Sequence, residues 1–170
     1  MPSALSTRGD RTALAAIRAN PRVQVWASLA HVYHHIARRL DRALSDDGLT
    51  LAQFEVLARL HFDGVRSQSQ LAERLLVTKG NISGLLTRMV RAGLVRRTGV
   101  AGDRRVHMLI LTRRGRAVFA RALPKHVGLI EHALAALSSE ELTHLRRALE
   151  KLPDGDPTRH DAACRASAQN

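Results

Sequence analysis

Apolar residues recur at helical spacing along most of this chain. Between residues 20 and 45, Val23, Trp26, Ala30, Tyr33, Ala37, Leu40 and Leu44 fall at steps of three and four, and Val25, Leu29, Val32 and Ile36 form a second stripe. Two apolar stripes predict a helix covered from more than one side. Asn20-Pro21 supplies an N-cap with proline at the first helical position, and Asp46-Asp47-Gly48 ends the run. Further starts are marked by a hydroxyl followed three residues later by an amide or acid: Thr50-x-x-Gln53, Ser67-x-x-Gln70, Ser138-x-x-Glu141 and, more weakly, Thr78-x-x-Asn81. In that pattern the hydroxyl accepts from the N3 amide while the N3 side chain reaches back. The pattern predicts helices over about 50–61, 67–76, 78–92 and 139–152.

The period changes after Gly93, which reads as a helix C-cap. Leu94-Val95-Arg96 starts a strand, Gly99 and Gly102 supply a turn, and Arg105–Leu111 alternates, with Val106, Met108 and Ile110 on one face and His107, Leu109 and Leu111 on the other. Thr112 then caps a helix to about Leu137, whose apolar face is Phe119, Leu123, Ile130 and Leu134; Pro124 inside it predicts a kink. The last helix should bury Leu142, Leu145, Leu149 and Leu152. Three short helices followed by a hairpin is the order of a winged helix-turn-helix. The expected fold class is mainly α: a winged helix-turn-helix lobe plus a helical dimerisation lobe, with a two-stranded β-wing. The expected organisation is an N-terminal extension at 1–19, a helical dimerisation region at 20–48 and 113–152, the DNA-binding domain at 49–112, and a flexible tail at 153–170. The first and last two helices carry more apolar surface than three short helices can cover, which favours a homodimer.

Charge narrows the partner. The chain has 27 Lys+Arg against 15 Asp+Glu, a formal net charge of +12. Such a balance points to a polyanion, nucleic acid before an anionic membrane surface. The excess is concentrated: residues 78–116 hold ten basic side chains and one acid, Asp103. Only five aromatic residues occur in the chain, which argues against base-stacking platforms for single strands.

The segment TKGNISGLLTRMVRAG carries the sharpest signal. Ile82, Leu85, Leu86 and Met89 share one helical face; Gly80, Ser83, Gly84, Thr87 and Arg91 share the other, flanked by Arg88. Each interior glycine costs roughly 1 kcal/mol against alanine. Either these glycines let the helix sink into a major groove, or they permit close packing on a neighbouring helix. On the first reading, the DNA-contact set is Ser67, Gln68, Thr78, Lys79, Asn81, Ser83, Thr87 and Arg88, with Asp103, Arg104 and Arg105 at the wing tip. An arginine at that tip suits a narrow minor groove, steadied by the Asp103 carboxylate; the alternative is a solvated turn. The partner is then double-stranded DNA, read by two such helices about one turn apart.

LTLAQFEVLARL, SQSQLAERLLVTKGNISGLLTRMVRAGLVRR and DRRVHMLILTRRGR together resemble the MarR/SlyA family of bacterial transcriptional regulators over about residues 25–152. The family's wing pattern, Asp-x-Arg followed by Leu-Thr-x-x-Gly, is matched by Asp103, Arg105, Leu111-Thr112 and Gly115. The resemblance implies a homodimer built from the first and last helices and a pseudo-palindromic operator. It implies a repressor, often released by a small aromatic acid between the dimer helices and the DNA lobe. Other members sense oxidation at a cysteine near the dimer interface. The single cysteine here, Cys164, lies in the tail, which disfavours that branch.

Other chemistry is thinly supported. His31 and His35 are four residues apart with His34 between them, but no HExxH motif or acidic cluster accompanies them, so no metal is expected. His34, Arg38 and Glu55 are candidate effector contacts facing an interdomain cleft, with packing or solvated roles as the alternative. No glycine-rich phosphate loop, nucleophile elbow or paired carboxylates occur, so neither enzyme activity nor a cofactor is expected. No apolar run reaches the ~18 residues of a membrane span, and the N-terminus lacks a secretion signal, so a cytoplasmic, nucleoid-associated protein is expected. An architectural binder without sequence preference is the rival to a specific regulator.

Overall fold

The computed structural model describes residues 15–64, 66–75, 78–100 and 103–152. Residues 15–19 are helical. There follow α1 (Pro21–Ser45), α2 (Leu51–Phe62), β1 (Arg66–Ser67), α3 (Gln68–Arg74), α4 (Lys79–Arg91), β2 (Val95–Val100), β3 (Asp103–Leu111), α5 (Arg113–Leu134) and α6 (Ser139–Glu150). The capping residues act as their spacing predicts. Asn20 accepts from the Arg22 amide, and reciprocal capping boxes start α2 (Thr50/Gln53), α3 (Ser67/Gln70) and α6 (Ser138/Glu141). At α4 only the Thr78 half of the device is present: its hydroxyl accepts from the Asn81 amide at 3.3 Å.

The hairpin pairs β2 with β3 from Val95↔Leu111 to Gly99↔His107, with an irregularity between Gly99 and Val100. A third strand joins it. β1 lies on the other edge of β3, through Arg66↔Leu109 and Ser67↔Met108, giving the order β1-β3-β2. Two residues are too short for an alternation signal, so periodicity alone could not find this strand. It matters because Ser67 is also the N-cap of α3, so one residue ties the helix start to the wing strand.

One core serves the lobe. Phe54, Val56, Leu57 and Leu60 of α2, Leu71 of α3, Ile82, Leu86 and Met89 of α4, Val95, Leu109 and Leu111 of the sheet and Phe119 of α5 are all buried together. The helix pattern of α4 therefore faces inward as expected, and the alternation of β3 buries Leu109 and Leu111. α1 contributes Leu40 and Leu44 near its end, where Asp41 Oδ1 accepts from the Leu51 amide at 2.8 Å. Asp47 then bridges to α5, 2.8 Å from Lys125 Nζ and 3.5 Å from Arg121 Nε. The hydrogen bond from Lys125 holds the Asp47 carboxyl below its ordinary pKa.

The last helix departs from the expectation. α6 buries none of its residues in the single chain: Leu142, Leu145 and Leu152 are exposed. Much of α1 is bare as well, with Trp26 70% and Tyr33 63% exposed. The stripes are real, but no described part of the chain covers the Trp26–Tyr33 stretch of α1 or the leucines of α6. α5 runs through Pro124 as one helix. No helix among the described residues is long and apolar enough to cross a membrane. The extension at 1–14 and the tail at 153–170, with Cys164, lie outside the described residues.

α4, the sheet and α5 meet at one joint. Gly93 adopts φ +67°, and its amide bonds to Val90 O while the Leu94 amide bonds to Met89 O, which ends α4 in a Schellman motif. Thr112 closes the joint from the far end of the hairpin. Its hydroxyl donates to Gly93 O at 2.6 Å, with Leu94 O 3.1 Å away, and accepts from the Gly115 amide at 2.9 Å. Gly115 sits directly over Leu94, so an added Cβ would collide with the Leu94 carbonyl. Gly115→Ala should therefore cost about 3 kcal/mol, because the obstacle is backbone and cannot rotate away; urea unfolding reads this as a lower midpoint.

Candidate nucleic-acid interface and an adjoining cavity

α4 is sharply two-sided. Ile82, Leu86 and Met89 are fully buried, whereas Gly80, Asn81, Gly84, Arg88 and Arg91 are exposed and Ser83 and Thr87 are half-buried. Among the described residues, none approaches either glycine closely enough to require it. A Cβ at Gly80 would meet only Thr78 Oγ1 at 3.9 Å, and one at Gly84 only Arg88 Nη1 at 3.6 Å. The reading of close packing on a neighbouring helix finds no contact to support it among the described residues. The first turn of α4 carries no acid. Its N-terminus thus presents uncompensated positive dipole charge to whatever lies in front of it.

The remaining contact candidates are placed as follows. Thr78 is exposed at the N-cap. Thr87 Oγ1 donates to Ser83 O at 2.9 Å, so its proton is committed and it offers a methyl group and lone pairs outward. Ser67 and Gln68 are half-buried at the start of α3, where the Ser67 hydroxyl accepts from the Gln70 amide. The backbone of Asp103, Arg104 and Arg105 begins β3; their side chains, that of Lys79 and the Asp103–arginine pairing lie outside the described residues.

The effector candidates are not brought together in one chain. Glu55 lines a cavity of about 370 Å³ between α2, the end of α3 and α5, with Phe54, Arg59, Phe62, Arg74 and His126. His34 and Arg38 are exposed on α1 and do not line it. The cavity mixes signs. Burial pushes the Glu55 carboxyl above its ordinary pKa, partly offset by Arg59. Arg74 pairs with Asp63 at 3.5 Å, both nearly buried. His126 stacks on Phe54 with ring centroids 4.3 Å apart; its Nδ1 is buried without a hydrogen-bond partner, and burial pushes its pKa below the ordinary value. His126, Phe62 and Arg74 were not among the sequence candidates. They lie far apart in the chain, and each reads locally as ordinary helix surface or core.

Comparisons with known proteins agree with this geometry. A family profile described as MarR family matches residues 47–106. The HTH-type transcriptional regulator PecS of Dickeya dadantii is 34% identical over 131 residues, covering 75% of this chain and 79% of that protein. The HTH-type transcriptional repressor MdtR of Bacillus subtilis is 29% identical over 131 residues, covering 77% and 84%. A cysteine-to-serine mutant of MarR from E. coli, crystallised with operator DNA, superposes with a TM-score of 0.72 at 28% identity, covering 79% of this chain and 97% of that one.

The two shifted groups of this cavity make opposite contributions to pH dependence. The lowered pKa of His126 means its stabilising contribution is full above the unfolded value and is lost as pH falls through the folded one. The raised pKa of Glu55 means its contribution is full at low pH and is lost as pH rises. Melting temperature measured from pH 7 to pH 5 should therefore fall less steeply in His126→Phe than in the parent. Glu55→Gln should melt higher than the parent at pH 7.

Proposed function

The chain belongs to the MarR family of DNA-binding transcriptional regulators, and from that premise we propose that it is a dimeric, sequence-specific repressor released by a small effector. The observation that carries the DNA reading is the exposed face of α4. Two glycines without packing duty, small polar side chains and arginines stand opposite a fully buried apolar stripe. A helix built this way fits a major groove, with Lys79, Asn81, Ser83, Thr87 and Arg88 facing bases and phosphates. Thr78, Ser67 and Gln68 contact the backbone beside it. Asp103, Arg104 and Arg105 carry the wing tip into the neighbouring minor groove.

The dimer reading is supported by α1 and α6, whose apolar residues are left uncovered in the single chain. Pairing these helices with those of a second copy removes that surface from water. The effector reading is supported by the Glu55 cavity, whose Phe54 and Phe62 walls and Arg59 guanidinium suit a small aromatic acid. His34 and Arg38 then reach the ligand across the dimer. The protein acts in the cytoplasm, on the nucleoid.

The deciding experiment sequences the genomic fragments that the purified protein retains, then measures binding to the recovered site against excess random DNA. A specific repressor holds its site; an architectural binder is competed away. On that site Arg105→Ala should weaken binding by roughly 1–3 kcal/mol. Gly84→Ala should weaken it while leaving the protein as stable as before or slightly more so. Binding should fall steeply with salt, as counterion release requires. Leu145→Glu should shift the protein from dimer to monomer in sedimentation, and an unchanged dimer would remove α6 from the interface.

A further inference from the structure

We propose that Thr87 reads the C5 methyl group of a thymine in the major groove, so that the DNA site is selected in part by an apolar contact and not by hydrogen bonds alone. The inference rests on the DNA reading above and names the base chemistry that α4 selects.

Helical spacing singles this residue out. At about 100° per residue, Gly80, Gly84, Thr87 and Arg91 fall within an arc of about 60°. The fully buried Ile82, Leu86 and Met89 occupy the opposite side of the helix. The stripe is therefore the line of α4 that enters a groove deepest. Its first two members lack a side chain, and no described neighbour crowds them: the nearest atom to an added Cβ is Thr78 Oγ1 at 3.9 Å for Gly80 and Arg88 Nη1 at 3.6 Å for Gly84. The second is the far end of a long side chain and can swing aside. A duplex can thus approach the helix backbone until the next side chain on the stripe meets it. That side chain is Thr87, whereas Arg91 beyond it is long enough to turn towards a phosphate.

The Thr87 side chain is held in one orientation. Its Oγ1 donates to Ser83 O, one turn back, at 2.9 Å. A β-branched residue has few χ1 states, and this bond selects among them. The hydroxyl proton is committed, and the bond keeps the oxygen close to the helix backbone. The γ-methyl is then the part that meets a base edge first. In the major groove guanine shows two acceptors, adenine an acceptor and a donor, and cytosine a donor; thymine alone adds a methyl group. The residues flanking the stripe, Ser83 on one side and Asn81 and Arg88 on the other, supply hydrogen bonding and charge. Thr87 adds the one apolar contact.

The test uses the full chain and the site recovered from genomic DNA, at fixed salt. Each thymine of the site is replaced in turn by deoxyuridine, which keeps the O4 acceptor and the base pairing and removes only the methyl group. One thymine in a half-site should stand out, its replacement weakening binding about fourfold, as the loss of one buried methyl predicts. Thr87→Ser keeps a hydroxyl for the Ser83 carbonyl and lacks the methyl. Checked for native circular dichroism, it should bind the unmodified site about fourfold more weakly and be insensitive to deoxyuridine at that position. The scan with the parent protein needs no variant. A scan in which no replacement matters, a site without thymine in its half-sites, or a Thr87→Ser protein that still suffers the full deoxyuridine penalty overturns the proposal. A parent that holds its site against random DNA yet ignores every replacement overturns this inference alone. Binding that random DNA competes away overturns the sequence-specific reading and this inference with it.

Discussion

The whole arrangement depends on a few backbone atoms around Thr112. Its hydroxyl joins the end of α4 to the start of α5, and Gly115 brings the α5 backbone against the Leu94 carbonyl at a distance no side chain permits. α4 carries the exposed polar face, whereas α5 runs back towards α1 through the Asp47 bridges. The joint therefore fixes the angle between the surface that would meet DNA and the helices that would meet a second subunit. Nearly every contact there is a short hydrogen bond or a backbone approach, which tolerates little change in geometry. That is the physical content of the Leu-Thr-x-x-Gly pattern: threonine to bond both ways, glycine because any Cβ would strike a carbonyl.

Charge and apolar surface are separated along the same axis. The basic excess of residues 78–116 falls on α4, the wing and the first turn of α5, while most of the exposed large apolar residues fall on α1 and α6, with Phe62 of α2 and Val127 of α5 exposed as well. The two cavities differ in kind. The Glu55 cavity balances acids against bases and has aromatic walls; the groove holding Arg96, Arg113 and Arg116 sets cations above an apolar floor and has no acid in its lining.

Much of the fold was legible in the sequence because the informative signals are local. Caps at Asn20, Thr50, Ser67, Thr78, Thr112 and Ser138, the left-handed Gly93 and the alternation of β3 each act over a few residues, and each predicted the element observed. The two-sidedness of α4 was equally plain, since helical spacing alone divides Ile82, Leu86 and Met89 from Gly80 and Gly84. The β1 strand was missed because two residues carry no period. The α6 stripe was assigned to burial because periodicity says which residues share a face and nothing about what covers them.

By itself, then, the amino-acid order determined where helices and strands begin, which side of each is apolar, and where positive charge accumulates, because these follow from short-range hydrogen bonding and from spacing. Only the tertiary structure decided that no described neighbour crowds Gly80 or Gly84, that Glu55 shares a cavity with His126 while His34 and Arg38 do not, and that Arg96 converges with Arg113 and Arg116. Those are meetings between residues distant in the chain. They are set by how the hairpin folds back on α2 and α5, which no local pattern encodes.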